Sequence, residues 1–382
     1  MDLTALRTRR QELGLSDQKY QFVHAPQGFM IIEPDLRQFE MIARLVHAFL
    51  ERVDAWVPTQ IRPGGGGSWW GSILQKGLPA PYTRLPWKGV LPETVMIDTV
   101  WTDHGWQVVE IDVTNRNGLG FPMTMRELYG LPKIWKGTPA AWREAGWQGV
   151  VQVMGARQRF YEPYFRNFLR SLEGELIPQA DLAAWLARPR EAVQLLDLPV
   201  LLPVDESDDV TPLIEALLER AANWRVAVPP VHQLSSKAVL ALPWEIDAFQ
   251  DDPIRHILPE TRLVCRSRQM PPGDFFLKLL QSGGAHGTFV NDTERLARLS
   301  AERRPEAVWQ RALPIVKRRI EHLDANDNLV DGEAFIRFSI YIDREGTIVD
   351  GDVTGGQESI VHGGRNAILT APVLVRPCFF YR

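Results

Sequence analysis

Apolar and polar positions recur with different periods along the chain. Over residues 36–56 (LRQFEMIARLVHAFLERVDAW) apolar side chains fall at helical spacing, which predicts one amphipathic helix. A loop rich in glycine and proline follows, Arg62-Pro63-Gly64-Gly65-Gly66-Gly67-Ser68, and runs into Trp69-Trp70. Thr94–Trp101 and Trp106–Val113 alternate with period two around Asp103-His104-Gly105, a hairpin with glycine where a positive φ is needed. From 147 to 235, apolar runs at 148–154, 199–204 and 225–228 alternate with helical stretches at 159–172 and 211–224. That order predicts a parallel, Rossmann-like sheet. Past Lys237, short strands and glycine turns return with a helix expected at 303–311, which reads as an α+β lobe. The chain is therefore expected to be α/β with three lobes, 1–146, 147–235 and 236–382.

Composition narrows the function. Apolar residues make up 45% and charged residues 24% of 382, the balance of a globular protein large enough for two or three lobes. The net charge of −4 argues against a nucleic-acid binder. Cys265 and Cys378 are far apart and in no metal-ligand spacing, which fits a reducing compartment. The first residues carry charge with no apolar run behind them, and no stretch has the length of a bilayer span, so a cytoplasmic location is expected.

The most informative chemistry lies in the hairpin. Period two puts Val109, Ile111 and Val113 on one face, and Glu110 and Asp112 on the other, about 7 Å apart. If Asp103-His104-Gly105 is a three-residue loop, Asp98 lies opposite Glu110 and three carboxylates crowd one patch. Like charges this close call for a cation, and an all-oxygen set favours magnesium or calcium. A solvated outer strand face accounts for the acids equally well. In Phe275–Val290, an apolar strand carries Lys278, then a loop with Ser282, Gly283, Gly284, His286 and Gly287, then a second apolar strand. The lysine must reach an anion or solvent, and the glycines let backbone N–H groups close over phosphate. The loop has no Gly-Lys-Ser/Thr ending and leads into a strand, so neither a P-loop nor a dinucleotide fingerprint applies. An ordinary glycine turn with a snorkelling lysine is the plainer alternative. Ser235-Ser236-Lys237 likewise reads as a capped helix start with a surface lysine when taken alone.

Together these pieces resemble the ATP-grasp superfamily, in particular its circularly permuted members, from about residue 94 onward. Ser236-Lys237 before Leu258-Pro259-Glu260-Thr261 resembles the first nucleotide lysine and the lead-in to the next strand. Lys278 with the glycine loop is similar to the second lysine and the phosphate flap, and Pro314–Ile320, with Lys317 and Arg318, to the strand and hinge that receive adenine. Arg337 stands where the family has an arginine for the transferred phosphate. The magnesium carboxylates, here Asp98, Glu110 and Asp112, come before the lysines, as in permuted members. The family usually has Glu-x-Asn where this chain has Glu110-Ile111-Asp112, and an acidic or amide residue where its hinge has Lys317-Arg318-Arg319.

The resemblance implies an ATP- and magnesium-dependent ligase that joins a small carboxylate to an amine, amino acid or peptide among them, through an acylphosphate. Neither a nucleic-acid nor a membrane partner is expected. Arg116, just past the metal strand, is assigned to the substrate carboxylate. A nucleotide-binding scaffold without ligase activity is the alternative. No His-Glu-x-x-His and no Gly-x-Ser-x-Gly occurs, which argues against a zinc protease or a serine hydrolase.

Overall fold

The computed structural model describes residues 3–15, 22–61, 67–76, 78, 80–83, 91–114, 118–155, 161–188, 193–197, 210–228, 233–266, 271–280, 287–324, 326–358 and 367–375. The fold is mixed α/β. Its centre is a seven-stranded sheet in which the hairpin Thr94–Thr102/Gly105–Asp112 adds to strands from the far end of the chain. The long strand Leu329–Asp343 is the hub. One edge pairs with Ile348–Gly356, and the other pairs first with Lys317–Leu323 and then with Thr94–Thr102, all antiparallel. Ile368–Thr370 and Val23–His24 extend the far side.

The amphipathic pattern at 36–56 forms a helix that runs over Glu33–Gln60. It begins where the Asp35 carboxylate accepts the Ile32 N–H at 3.1 Å. Phe39, Ile42, Val46, Phe49, Leu50, Val53 and Val57 form its buried stripe. That stripe covers one face of the central sheet, where Phe39 stacks on Phe338 at 4.3 Å and meets Trp106 at 5.1 Å.

The opposite face packs against the expected parallel sheet, in the order Glu175–Pro178, Val151–Met154, Gln194–Asp197, Arg225–Val228. Met96, Tyr341 and Val349 of the central sheet share a core with Trp142, Trp147, Phe168 and Leu196. Residues 199–204, expected as a strand, lie outside the described residues.

A third, antiparallel sheet is ordered Thr288–Val290, Phe275–Leu279, Ala307–Arg311, Thr261–Leu263. It corrects the helix expected at 303–311. The helix lies earlier, at Thr293–Ala301, capped by the Asp292 side chain accepting from Arg295 N at 3.0 Å. Arg303 then takes a positive φ of 50°, and Pro305 bars a helix from continuing through 303–311. Ala307–Arg311 becomes the strand between Phe275–Leu279 and Thr261–Leu263. No helix among the described residues is long and apolar enough to cross a membrane.

Candidate active site

The hairpin delivers the expected pairing by an unexpected route. Asp103 and His104 alone form the loop, since Thr102 pairs with Gly105. Gly105 takes φ +94°, and the Thr102 hydroxyl accepts from His104 N and donates to Gly105 O. This two-residue turn would put Asp98 opposite Val109. The strand bulges instead, so that Thr99 pairs with Val108 and Asp98 with Glu110. The bulge also resets the faces. Val108 joins Trp106, Ile111 and Val113 in the core, in place of the expected Val109, which is half-buried. The freed Val109 carbonyl accepts a hydrogen bond from Lys278 Nζ at 3.2 Å.

On the face away from the long helix, register aligns a polar row across four strands: Asp352, Ser339, Asp98, Glu110. Arg337 and Tyr341 flank Ser339 on the same face of the long strand. Asp98 Oδ1 accepts from the Ser339 hydroxyl at 2.7 Å, and its Oδ2 lies 3.4 Å from Arg337 Nη1. Arg337 Nη2 donates to Thr354 Oγ1 at 3.3 Å, whereas its buried Nε has no acceptor among the described residues.

Two lysines arrive from the third sheet and the segment before it. Lys237 follows the Ser236 cap, but it is buried at 6% exposure, and its Nζ sits 2.9 Å from Glu110 Oε1. Its backbone N–H donates to Leu280 O, which ties it to the strand of Lys278. Asp112 Oδ1 accepts from Thr114 N at 2.9 Å and from the Ser235 hydroxyl at 3.2 Å.

The charges are strongly coupled. Burial raises the Asp98 pKa, with Arg337 opposing the rise. Burial and then the Glu110 charge raise that of Asp112. For Glu110, burial pushes upward, but Lys237 and Lys278 together outweigh it and hold the carboxyl below the usual range. Burial pulls Lys278 down to about 8, with Glu110 partly restoring it. The acids share one face as the hairpin pattern implied, yet their charge is met by Lys237, Lys278 and Arg337. Among the described residues no three acid, His or Cys side chains are grouped to hold a metal ion.

The other expected residues separate. Gly287 (φ +84°) lies at the end of the glycine loop, and its carbonyl accepts from Leu279 N at 2.9 Å. Ser282, Gly283, Gly284, His286 and Arg116 lie outside the described residues. Lys317 starts its strand beside Phe335, exposed, with Nζ 3.4 Å from the Gln357 side chain. Arg318 does not join the group. Neighbours on a strand point to opposite faces, so its guanidinium lies over Trp101 at 4.4 Å and Phe29 at 5.4 Å, 3.8 Å from Asp35. Asp352, Ser339, Tyr341, Thr354, Ser235 and Thr114 belong to the neighbourhood although the sequence did not single them out. Ser339 and Tyr341 had period-two spacing from Arg337, and Ser235 and Thr114 lie two residues from Lys237 and Asp112, whereas Asp352 and Thr354 are brought in only by strand pairing.

The mixed α/β architecture is consistent with an ATP-grasp-like fold. A glutathione synthetase-like effector (GSS30) from Globodera pallida, solved in its apo form, shares it, with 13% identity, a TM-score of 0.55, and coverage of 98% of this chain and 96% of that one. At that identity the likeness is one of fold. No family model and no curated protein matches the chain.

Proposed function

We propose that the chain is an ATP- and magnesium-dependent ligase that joins a carboxylate to an amine, built in a circularly permuted ATP-grasp order. The observation that carries this reading is the meeting of Lys237, Lys278 and Arg337, from three separate segments, at the carboxylate hairpin. Buried ammonium groups and an arginine Nε without an acceptor suit a ligand with many anionic oxygens. The permuted order is supported by the hairpin at 94–112, which comes early in the chain yet pairs with Leu329–Asp343.

In this reading Lys237 and Lys278 hold the phosphates, and Arg337 faces the phosphoryl group in transfer. The loop from Ser282 to Gly287 covers the phosphates, the chain entering the strand at Lys317 borders the adenine, and Arg116 takes the substrate carboxylate. That carboxylate attacks the γ-phosphorus and ADP leaves. The amine then attacks the acyl carbon, phosphate leaves, and the amine gives up a proton. Such transfers depend on positioning and charge neutralisation, which these cations supply. Asp98, Glu110 and Asp112 lie along one face but are not grouped as a metal cluster, so they do not by themselves make a magnesium site. In this reading one or two of their carboxylates would add oxygens to an ion that arrives with the nucleotide phosphates. When bound, the ion neutralises phosphate charge.

A thermal-shift titration with ATP and magnesium, followed by phosphate release against mixtures of amino acids, tests the proposal. A shift with ATP and release that requires both a carboxylate and an amine are expected. Binding without release across a broad set of both substrates would instead define a nucleotide-binding scaffold. No shift with ATP would refute both.

A further inference from the structure

Asp352 ends the polar row and is only 5% exposed. Its Oδ2 accepts from the Tyr341 hydroxyl at 2.6 Å, and the same hydroxyl lies 3.1 Å from the Gly118 carbonyl. Gly118 comes just after the stretch 115–117 that follows the carboxylate hairpin. The hydroxyl has one hydrogen, so with that hydrogen directed at Asp352 it lies beside the Gly118 carbonyl without bonding it, and Asp352 sits near the chain leaving the hairpin. It also acts on Arg337. The guanidinium has Asp98 3.4 Å away on one neighbouring strand, and Asp352 diagonally across on the other, close enough to act through its charge but without an ion pair or hydrogen bond to it. Ser339 stands between them in the row.

Stability alone is a poor reason for this acid. Burying a carboxylate is unfavourable, and neutral groups of the same shape often serve a buried site as well or better. Its value lies in geometry. Nη1 at Asp98 and Nη2 at Thr354 hold the arginine across the sheet, and Asp352 on the far strand, when ionised, opposes a swing toward Asp98 alone.

We infer that Asp352 is a positioning residue. Its charge, on the strand opposite Asp98, flanks the Arg337 guanidinium, and the Tyr341 hydroxyl that donates to it fixes its own carboxyl, so that the arginine keeps its place on the sheet. The inference rests on the reading of Arg337 as the residue that faces the transferring phosphoryl group.

The test is Asp352→Asn in the full chain, labelled with ¹⁵N, with the Arg337 Nε–H resonance identified by its loss in Arg337→Lys. That resonance is expected to move and to exchange faster with water in Asp352→Asn. With ATP, magnesium and a mixture of the twenty amino acids, kcat for phosphate release should fall on the order of 10–100-fold. KM for ATP should change by less than about threefold, because ground-state binding is retained. An unmoved Arg337 resonance overturns the inference, whatever happens to kcat, and so does a moved resonance with the parent's kcat. If the parent releases no phosphate, the ligase reading fails and the resonance alone decides the positioning role. Should Asp352→Asn not fold, Tyr341→Phe is read by the same criteria, since it removes the hydroxyl that anchors Asp352.

Discussion

Replacing Lys278 with methionine separates what the site needs from what the fold prefers. Lys278 is 7% exposed, and burial lowers its pKa from 10.5 to about 8 despite the attraction of Glu110. Between those values the unfolded chain binds a proton that the folded chain does not, so stability rises with pH across that window. Below pH 8 the whole penalty is present, on the order of 3 kcal/mol. Methionine removes the charge and fills a similar volume, but it leaves the Val109 carbonyl without its donor, a loss of about 1 kcal/mol. Lys278→Met should therefore be about 2 kcal/mol more stable than the parent at pH 7 without nucleotide, and the difference should shrink above pH 10. Urea unfolding at both pH values measures this. Calorimetry with ATP and magnesium should show affinity weakened by about 1.5–3 kcal/mol, roughly 10- to 150-fold. A variant no more stable than the parent at pH 7 would refute the burial reasoning. Unchanged ATP affinity would remove Lys278 from the nucleotide site.

Glu110→Gln leaves the buried Lys237 beside a neutral amide and should cost about 3 kcal/mol in urea unfolding, the low end for a broken buried pair because the Glu110 side chain is 30% exposed. Adding Lys237→Met should recover that stability without restoring phosphate release. Ser339→Ala removes the 2.7 Å donor to the buried Asp98 and should destabilise by about 1–3 kcal/mol, read from the same curves. Burial raises the Asp352 pKa from 3.8 to about 7. The folded chain then holds a proton that the unfolded chain has lost, so this group's contribution falls as pH climbs through that window. Urea midpoints from pH 4 to 8 should flatten in Asp352→Asn, and an unaltered slope would show that Asp352 does not titrate there.

The hairpin was legible because its period-two alternation and Asp-His-Gly turn are local signals. The Asp98–Glu110 pairing was reached by assuming a longer loop, and it holds only because the bulge at Val109 supplies the missing residue. Single-strand patterns carry no information about bulges. The long helix was readable from its stripe. The segment 303–311 was misread because its charged and apolar residues suit a helix locally, whereas pairing with Phe275–Leu279 makes Ala307–Arg311 a strand. Arg318 and Asp352 show the same limit at the site. Each strand residue has two candidate faces, and only the neighbouring strands decide which one meets Asp98. Lys237 illustrates a mixed outcome, since Ser236 does cap its turn while the lysine that looked superficial is buried.

The hydrogen bond between Ser339 and Asp98 joins residues 241 positions apart. At about 5–20 residues per second, synthesis of the intervening chain takes roughly 10–50 s. Throughout that time the edge of Thr94–Thr102 that later receives Leu329–Asp343 waits without its partner. An apolar strand with an open edge invites pairing with other chains. The nascent protein thus passes through a period of vulnerability that the finished sheet conceals. Substitutions in Leu329–Asp343 that slow its docking should lower soluble yield before they alter the folded molecule.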